Sequence, residues 1–192
     1  MTAGVIAADP VTAPDLRTPA VVAGAALLVM AVLAPLGLLL ALPAGHFGVA
    51  ALVALTVAVL DVVAAVALLP VLATGGELWA WIAATLRVAY AAVFTVAGAS
   101  LLAPVDEARF HAVWDAGLLV FGAHLLVAGA ACVRSTLVPT WIGWLVVLAG
   151  AGYAFDAVVV AVGAESAFSL GAVTFVGEVV LLLWLLVRCG RQ

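Results

Sequence analysis

Apolar residues run through this 192-residue chain in six long blocks, each near or above the roughly 20 residues that a helix needs to cross about 30 Å of hydrocarbon. The blocks lie near 19–42, 48–73, 78–103, 110–133, 138–162 and 168–188. Between them stand LPAGHF, LATGGE, APVDEARF, RSTLVP and GAESAF, which hold the Gly, Pro, Ser and charged residues that interrupt regular elements. Helices joined this tightly pack as antiparallel neighbours. The pattern predicts an all-α, polytopic membrane protein: one bundle of six transmembrane helices over 19–188. A polar, Pro-punctuated segment, 1–18, is read as a disordered tail ahead of a retained first helix, and 189–192 as a C-terminal tail. Pro35 is expected to kink the first helix and Pro70 to help end the second.

Composition agrees with that pattern. Hydrophobic residues make up 69% of the chain and charged residues 8%, against roughly 25% charged in soluble domains; the mean hydropathy is +1.42. The net charge of −4 comes from scattered carboxylates, so no basic surface for nucleic acid is expected. All the cations are Arg. With six spans both termini share a side, and Arg17, Arg134, Arg188 and Arg191 fall there against Arg109 opposite. The positive-inside rule then places both termini in the cytoplasm of a multi-pass protein of the cell inner membrane. Cys132 and Cys189 lie near helix ends on that side, where thiols stay reduced.

The departures from apolarity carry the chemistry. Asp61, Arg87, Asp115, Asp156 and Glu178 all sit inside the spans, where an ionised group is costly and reads as functional by default. At about 1.5 Å per residue, Asp61, Arg87 and Glu178 fall at mid-depth and can share one cluster. Asp115 and Asp156 fall within roughly 7–11 Å of the outer face and form a second, shallower pair. Residues three or four apart share a helix face. That places Tyr90 and Phe94 in the stripe of Arg87, Tyr153 in that of Asp156, and Thr174 and Phe175 in that of Glu178. Trp114, Trp144, Phe110, Phe121, Tyr153 and Phe155 lie nearer the acids and are candidates to line a pocket, whereas Trp79, Trp81 and Trp141 lie near helix ends, where aromatic belts form.

Each of these residues also has a structural reading. Arg87 can pair with Asp61 or Glu178 simply to fix helix register, yet four acids outnumber one intramembrane Arg. Some carboxyls should then be protonated or face a polar cavity. His124 can be a core histidine bonded to a carbonyl rather than a ligand or proton carrier. No HxxxH or HExxH spacing supports zinc, and no P-loop, dinucleotide fingerprint, GxSxG elbow, CxxC pair or DDxxD run is present. Neither a metal nor a cofactor is expected, and an enzyme here would work through isolated carboxyls.

Several segments carry a resemblance. Arg87-x-x-Tyr90-x-x-x-Phe94, GLLVFGAHLL with Gly117 and His124, PTWIGW with Pro139 and Trp144, AGAGY ending at Tyr153, and GEVVLLLWLL with Glu178 and Trp184 resemble a large group of uncharacterised bacterial six-helix membrane proteins over residues 50–188. In size, helix number and intramembrane acids, rather than in a signature, the chain also resembles the small bacterial membrane-bound terpene cyclases of the drimentine and xiamycin pathways. That resemblance implies an isomerase of terpenoid biosynthesis acting on a lipid-soluble prenylated small molecule, among membrane lipids and alongside pathway enzymes such as a prenyltransferase.

Such an enzyme protonates an alkene or epoxide with a carboxylic acid kept neutral by an apolar site, then guides the carbocation past aromatic faces in a dry core. Asp61 and Glu178 are the expected acid and base, Asp115 and Asp156 an alternative pair. Arg87 tunes the site, while Tyr90, Phe94, Trp114, His124, Tyr153 and Phe155 are expected around the substrate. Against this stand a proton-coupled transporter or proton relay using the same acids and His124, and an accessory protein with a structural ion cluster. A transporter requires a water path linking both faces. A cyclase requires a closed apolar pocket, open at most to lipid or to one side.

Overall fold

A computed structural model describes residues 15–164 and 169–187, all of the ordered elements being helical. Residues 1–14 of the predicted N-terminal tail, the C-terminal tail, and Arg188 and Arg191 with Cys189 lie outside those residues, while Arg17 and Thr18 of the predicted tail belong to the first helix. Helix α1 spans Arg17–Pro35, α2 Phe47–Ala73, α3 Glu77–Ala99, α4 Glu107–Arg134 and α5 Thr140–Ala161; α6 (Gly171–Thr174) and α7 (Val176–Val187) complete the chain. In lipid a backbone must satisfy its own hydrogen bonds, which is why long apolar blocks become helices. Five helices are long and apolar enough to cross a bilayer, α1 being counted with its extension to Ala41. The sixth stretch is shorter among the described residues, Gly171–Val187.

Two spans depart from simple rods. After Pro35, α1 widens into a π-helical turn over Leu36–Ala41, closed by Leu42 N–H donating to the Gly37 carbonyl. Proline removes an amide donor and crowds the preceding turn, so a change of winding beside it is expected. The sixth span, predicted as one helix, breaks at Phe175, where the Glu178 amide reaches back only three residues to the Phe175 carbonyl. Its short first piece is anchored from outside: Asp156 on α5 accepts hydrogen bonds from Leu170 N (3.0 Å), Gly171 N (2.7 Å) and Ser169 Oγ (2.6 Å). These are the free amides that any helix start presents.

Each helix packs against its neighbour in sequence, α1 on α2 through α5 on α6 and α7, and α7 returns to α1. The result is a closed ring of antiparallel spans. Small residues make a close seam between α4 and α5. A Cβ built on Gly150 of α5 would lie 2.7 Å from the Gly122 carbonyl oxygen and from the Leu126 amide of α4. Gly129 and Gly143 sit equally close to backbone further along the same pair. With no hydrophobic force between helices in lipid, such close approach supplies the packing.

The ring has two ends. At the end holding the start of α1, the α2–α3 and α4–α5 turns are tied by Thr74 Oγ1 and Ser135 Oγ at 2.6 Å, and the Arg134 guanidinium lies 4.7 Å from the Trp79 ring centre. At the opposite end Asp106 caps α4, its Oδ1 accepting from Arg109 N at 2.9 Å. Asp106→Ala should lower stability by about 1 kcal/mol. The loss should appear as faster amide exchange at Arg109 and the rest of the first turn of α4, with little change elsewhere.

Candidate functional site

The mid-depth charges converge. Asp61 on α2, Arg87 on α3 and Glu178 on α7 all line one central chamber of about 280 Å³, walled by residues from every span of the ring. Arg87 Nη2 is 2.6 Å from Asp61 Oδ1, and both side chains are 3% exposed. The second terminal nitrogen, Nη1, is 3.2 Å from His124 Nε2 on α4, while His124 Nδ1 is 2.8 Å from the Ala83 carbonyl oxygen. A guanidinium only donates and a carbonyl only accepts. His124 therefore carries its proton on Nδ1, donates it to Ala83, and accepts from Arg87 through Nε2. That neutral tautomer holds the guanidinium from the side away from Asp61. Arg87 also lies 5.6 Å from the Phe121 ring centre, and its buried Nε is without a hydrogen-bond partner among the described residues.

The remaining chamber wall is largely aromatic and aliphatic. Tyr90 and Phe121, with ring centres 4.7 Å apart, and Tyr153, 5.3 Å edge-on from Phe121, stand opposite Phe175 and the α1 residues Leu27, Met30 and Ala31. Glu178 lies among them without an ion-pair partner among the described residues. Asp61 and Glu178 thus differ in kind. Asp61 is paired with a cation, whereas Glu178, among the described residues, is not.

Asp115 and Asp156, the shallower pair, line a second and larger cavity of about 560 Å³ toward the end that carries the α5–α6 connection. Ala34, Pro35, Tyr153 and Phe175 border both cavities, so they form a neck between an outer vestibule and the inner chamber. Trp114 and Leu118 of α4 and Leu38 and Leu39 of α1 also face the vestibule. Asp156 caps the segment before α6 while also lining this cavity. Gly171 makes that cap possible, because a Cβ there would sit 2.8 Å from the Tyr153 ring and 3.1 Å from Asp156 Oδ2.

Several expected lining residues fall elsewhere. Phe155 is 51% exposed on the outer surface of the bundle; two residues beyond Tyr153 it points about 200° away around the helix. Phe94 is buried behind Tyr90 and Trp114, with ring centres 5.6 and 6.2 Å away. His124 is spent on Arg87 and Ala83 and borders only a void of about 10 Å³ beneath the chamber. The α1 wall, conversely, is not visible in the placement of polar residues, since α1 carries none at that depth. Its one signal is Pro35, which stands at the neck.

Toward the end holding the start of α1 the ring is filled. Leu68, Leu72, Leu125, Ala128, Val146, Leu181 and Leu185 are all buried there. Among the described residues, none of these side chains lines either cavity. Among the described residues no three His, Cys, Asp or Glu side chains gather in a way that could hold a metal ion.

Residues 107–189, which cover α4 to α7 with Asp115, Tyr153, Asp156 and Glu178, match the family described as a domain of unknown function, DUF4386. A protein of Archaeoglobus fulgidus, described as uncharacterized, is 34% identical over 134 residues, which cover 70% of this chain and 79% of that protein. The chain belongs to the DUF4386 family. No solved structure gives a significant match. For this DUF4386 protein the matches establish an uncharacterised family of membrane proteins, and neither description names a reaction or a transported solute.

Proposed function

We propose that this DUF4386 protein is a membrane-embedded terpene cyclase, which admits a linear prenylated substrate through the vestibule and cyclises it in the chamber with Glu178 as the acid. The observation that carries this reading is a pair of adjoining cavities, mostly apolar apart from the carboxyls, the Arg87 cluster, Ser169 and the tyrosine hydroxyls, with a filled end of the ring beyond them. A relay or channel needs a polar path between both faces, and the leucine-filled end of the ring offers none among the described residues. Glu178 is the chamber carboxyl free of an ion pair, hence the one able to carry a proton. The Glu178 O–H bond breaks as its proton passes to an alkene carbon, where the π bond becomes a C–H bond, or to an epoxide oxygen, where O–H forms as a C–O bond opens. Either step leaves a Glu178 carboxylate and a substrate carbocation. Aromatic faces of Tyr90, Phe121, Tyr153 and Phe175 surround the cation, as quadrupoles favour. Ring closure moves the positive charge, and loss of a proton to the Glu178 carboxylate restores the acid. The net change is an isomerisation without metal or cofactor.

The reading also sets the orientation. Arg17 and Arg134 lie at the filled end and Arg109 at the open one, so the positive-inside rule turns the vestibule away from the cytoplasm.

The test is product analysis after incubating the purified protein with farnesylated and geranylgeranylated aromatic and diketopiperazine compounds. Wild type should yield products isomeric with the substrate. Glu178→Gln, which keeps shape and loses the proton, should be slower by about 100-fold while unfolding at the same temperature. No product from the panel, together with Glu178-dependent proton flux in vesicles, would replace the cyclase by a proton relay.

A further inference from the structure

The vestibule is unusual in its charge. Among the described residues it is lined by two carboxylates, Asp115 and Asp156, and by no Arg or His, with Ser169 and Tyr153 as hydroxyl-bearing side chains in a mostly apolar surface. Asp156 has its oxygens engaged by Ser169, Leu170 and Gly171. Asp115 makes no ion pair or side-chain hydrogen bond among the described residues; His111, one turn before it, lies 3.9 Å from Glu107 instead. Trp114, the residue beside Asp115, presents its ring to the same space. A free carboxylate next to an aromatic face is the chemistry that binds an organic cation. The chamber beyond the neck contains the ion-paired Arg87, whose charge Asp61 already matches, so the field at the entrance is set by acids.

We propose that the vestibule is the head-group site for a cationic, single-chain amphiphile: an amine or other organic cation held between Asp115 and Trp114, its apolar chain passing Tyr153 and Phe175 into the chamber. This rests on the reading that the chamber takes a lipid-soluble ligand, and it narrows that ligand's class. Substrates with a phosphate, diphosphate or carboxylate head are rejected by two like charges in a site with no cation to receive them. The geometry also gives an order along the ligand. The charged end stays with Asp115 at the mouth, while the far end of the chain reaches Glu178, where protonation starts.

The experiment is equilibrium binding of farnesylamine, farnesol and farnesyl phosphate, which share one chain, to the protein in a non-ionic detergent. The amine should bind about tenfold tighter than the alcohol, and the phosphate weakest. Asp115→Asn should remove that tenfold advantage and leave farnesol within about twofold, with the unfolding temperature unchanged. Equal binding of all three, tightest binding of the phosphate, or an amine affinity unmoved by Asp115→Asn overturns the head-group site while leaving the chamber's role intact. Failure of all three to bind overturns this site and the prenyl-chain reading together.

Discussion

Asp61→Leu is expected to be among the most damaging single changes in this protein, costing about 3–5 kcal/mol because it strands the Arg87 guanidinium in the core of the ring. Arg87 is 3% exposed, and among the described residues its charge is matched directly only by Asp61 at 2.6 Å. His124 cannot replace that carboxylate, since its Nε2 supplies a lone pair without a charge. The two halves of the pair should not be equivalent. A stranded aspartate can take up a proton, whereas an arginine side chain keeps its charge under all protein conditions. Arg87→Leu should therefore cost less than Asp61→Leu, even though it also leaves His124 Nε2 without its donor. The double variant Asp61→Leu/Arg87→Met should recover most of the loss, because an apolar pair of similar volume avoids desolvating either ion. Reversible unfolding in detergent across these variants measures the order. A double variant no better than Asp61→Leu would show that the pair does not act as a unit.

Gly150→Val should cost about 3 kcal/mol, at the upper end for overpacking. The atoms its Cβ would meet, the Gly122 carbonyl oxygen and the Leu126 amide, are backbone. A side chain can rotate away, but backbone can yield only if α4 and α5 separate. That separation would move Phe121 and Tyr153, which touch across this seam and carry the neck and chamber wall. The variant should lose ligand binding along with stability. Gly48→Ala is the control, since nothing lies within 4 Å of a Cβ there, and its stability should stay within about 1 kcal/mol of wild type. Equal unfolding temperatures for Gly150→Val and wild type would mean that the two helices have room to part.

Much of this architecture was legible in the chain. Length and apolarity of the blocks determined the helices, because an uninterrupted run of some 20 apolar residues has no other way to satisfy its backbone in lipid. The predicted block 110–133 became Glu107–Arg134, and 138–162 became Thr140–Ala161. Depth was legible too. Counting residues separated Asp61, Arg87 and Glu178 from Asp115 and Asp156, and those two sets line the inner and outer cavities. Spacing along a helix fixes height, and alternating spans of similar length bring equal heights together.

Azimuth and partnership were settled by the tertiary structure. Whether Arg87 pairs with Asp61 or Glu178 depends on which spans face it across the ring, which no single helix encodes. That choice left Glu178 free. His124 looked available from its position and is instead locked between Ala83 and Arg87, because the approach of α3 to α4 decides which groups reach it. Asp156 and Ser169 are thirteen residues apart, and only the placement of Ser169, Leu170 and Gly171 beside α5 turns that acid into a cap. Sequence thus determined the helices and the level of each charge within them, through local periodicity and the cost of unpaired backbone in lipid. The tertiary structure decided which charges neutralise one another and which remain for a ligand, since pairing requires side chains from different spans within about 3 Å, a condition set by ring closure and glycine contacts.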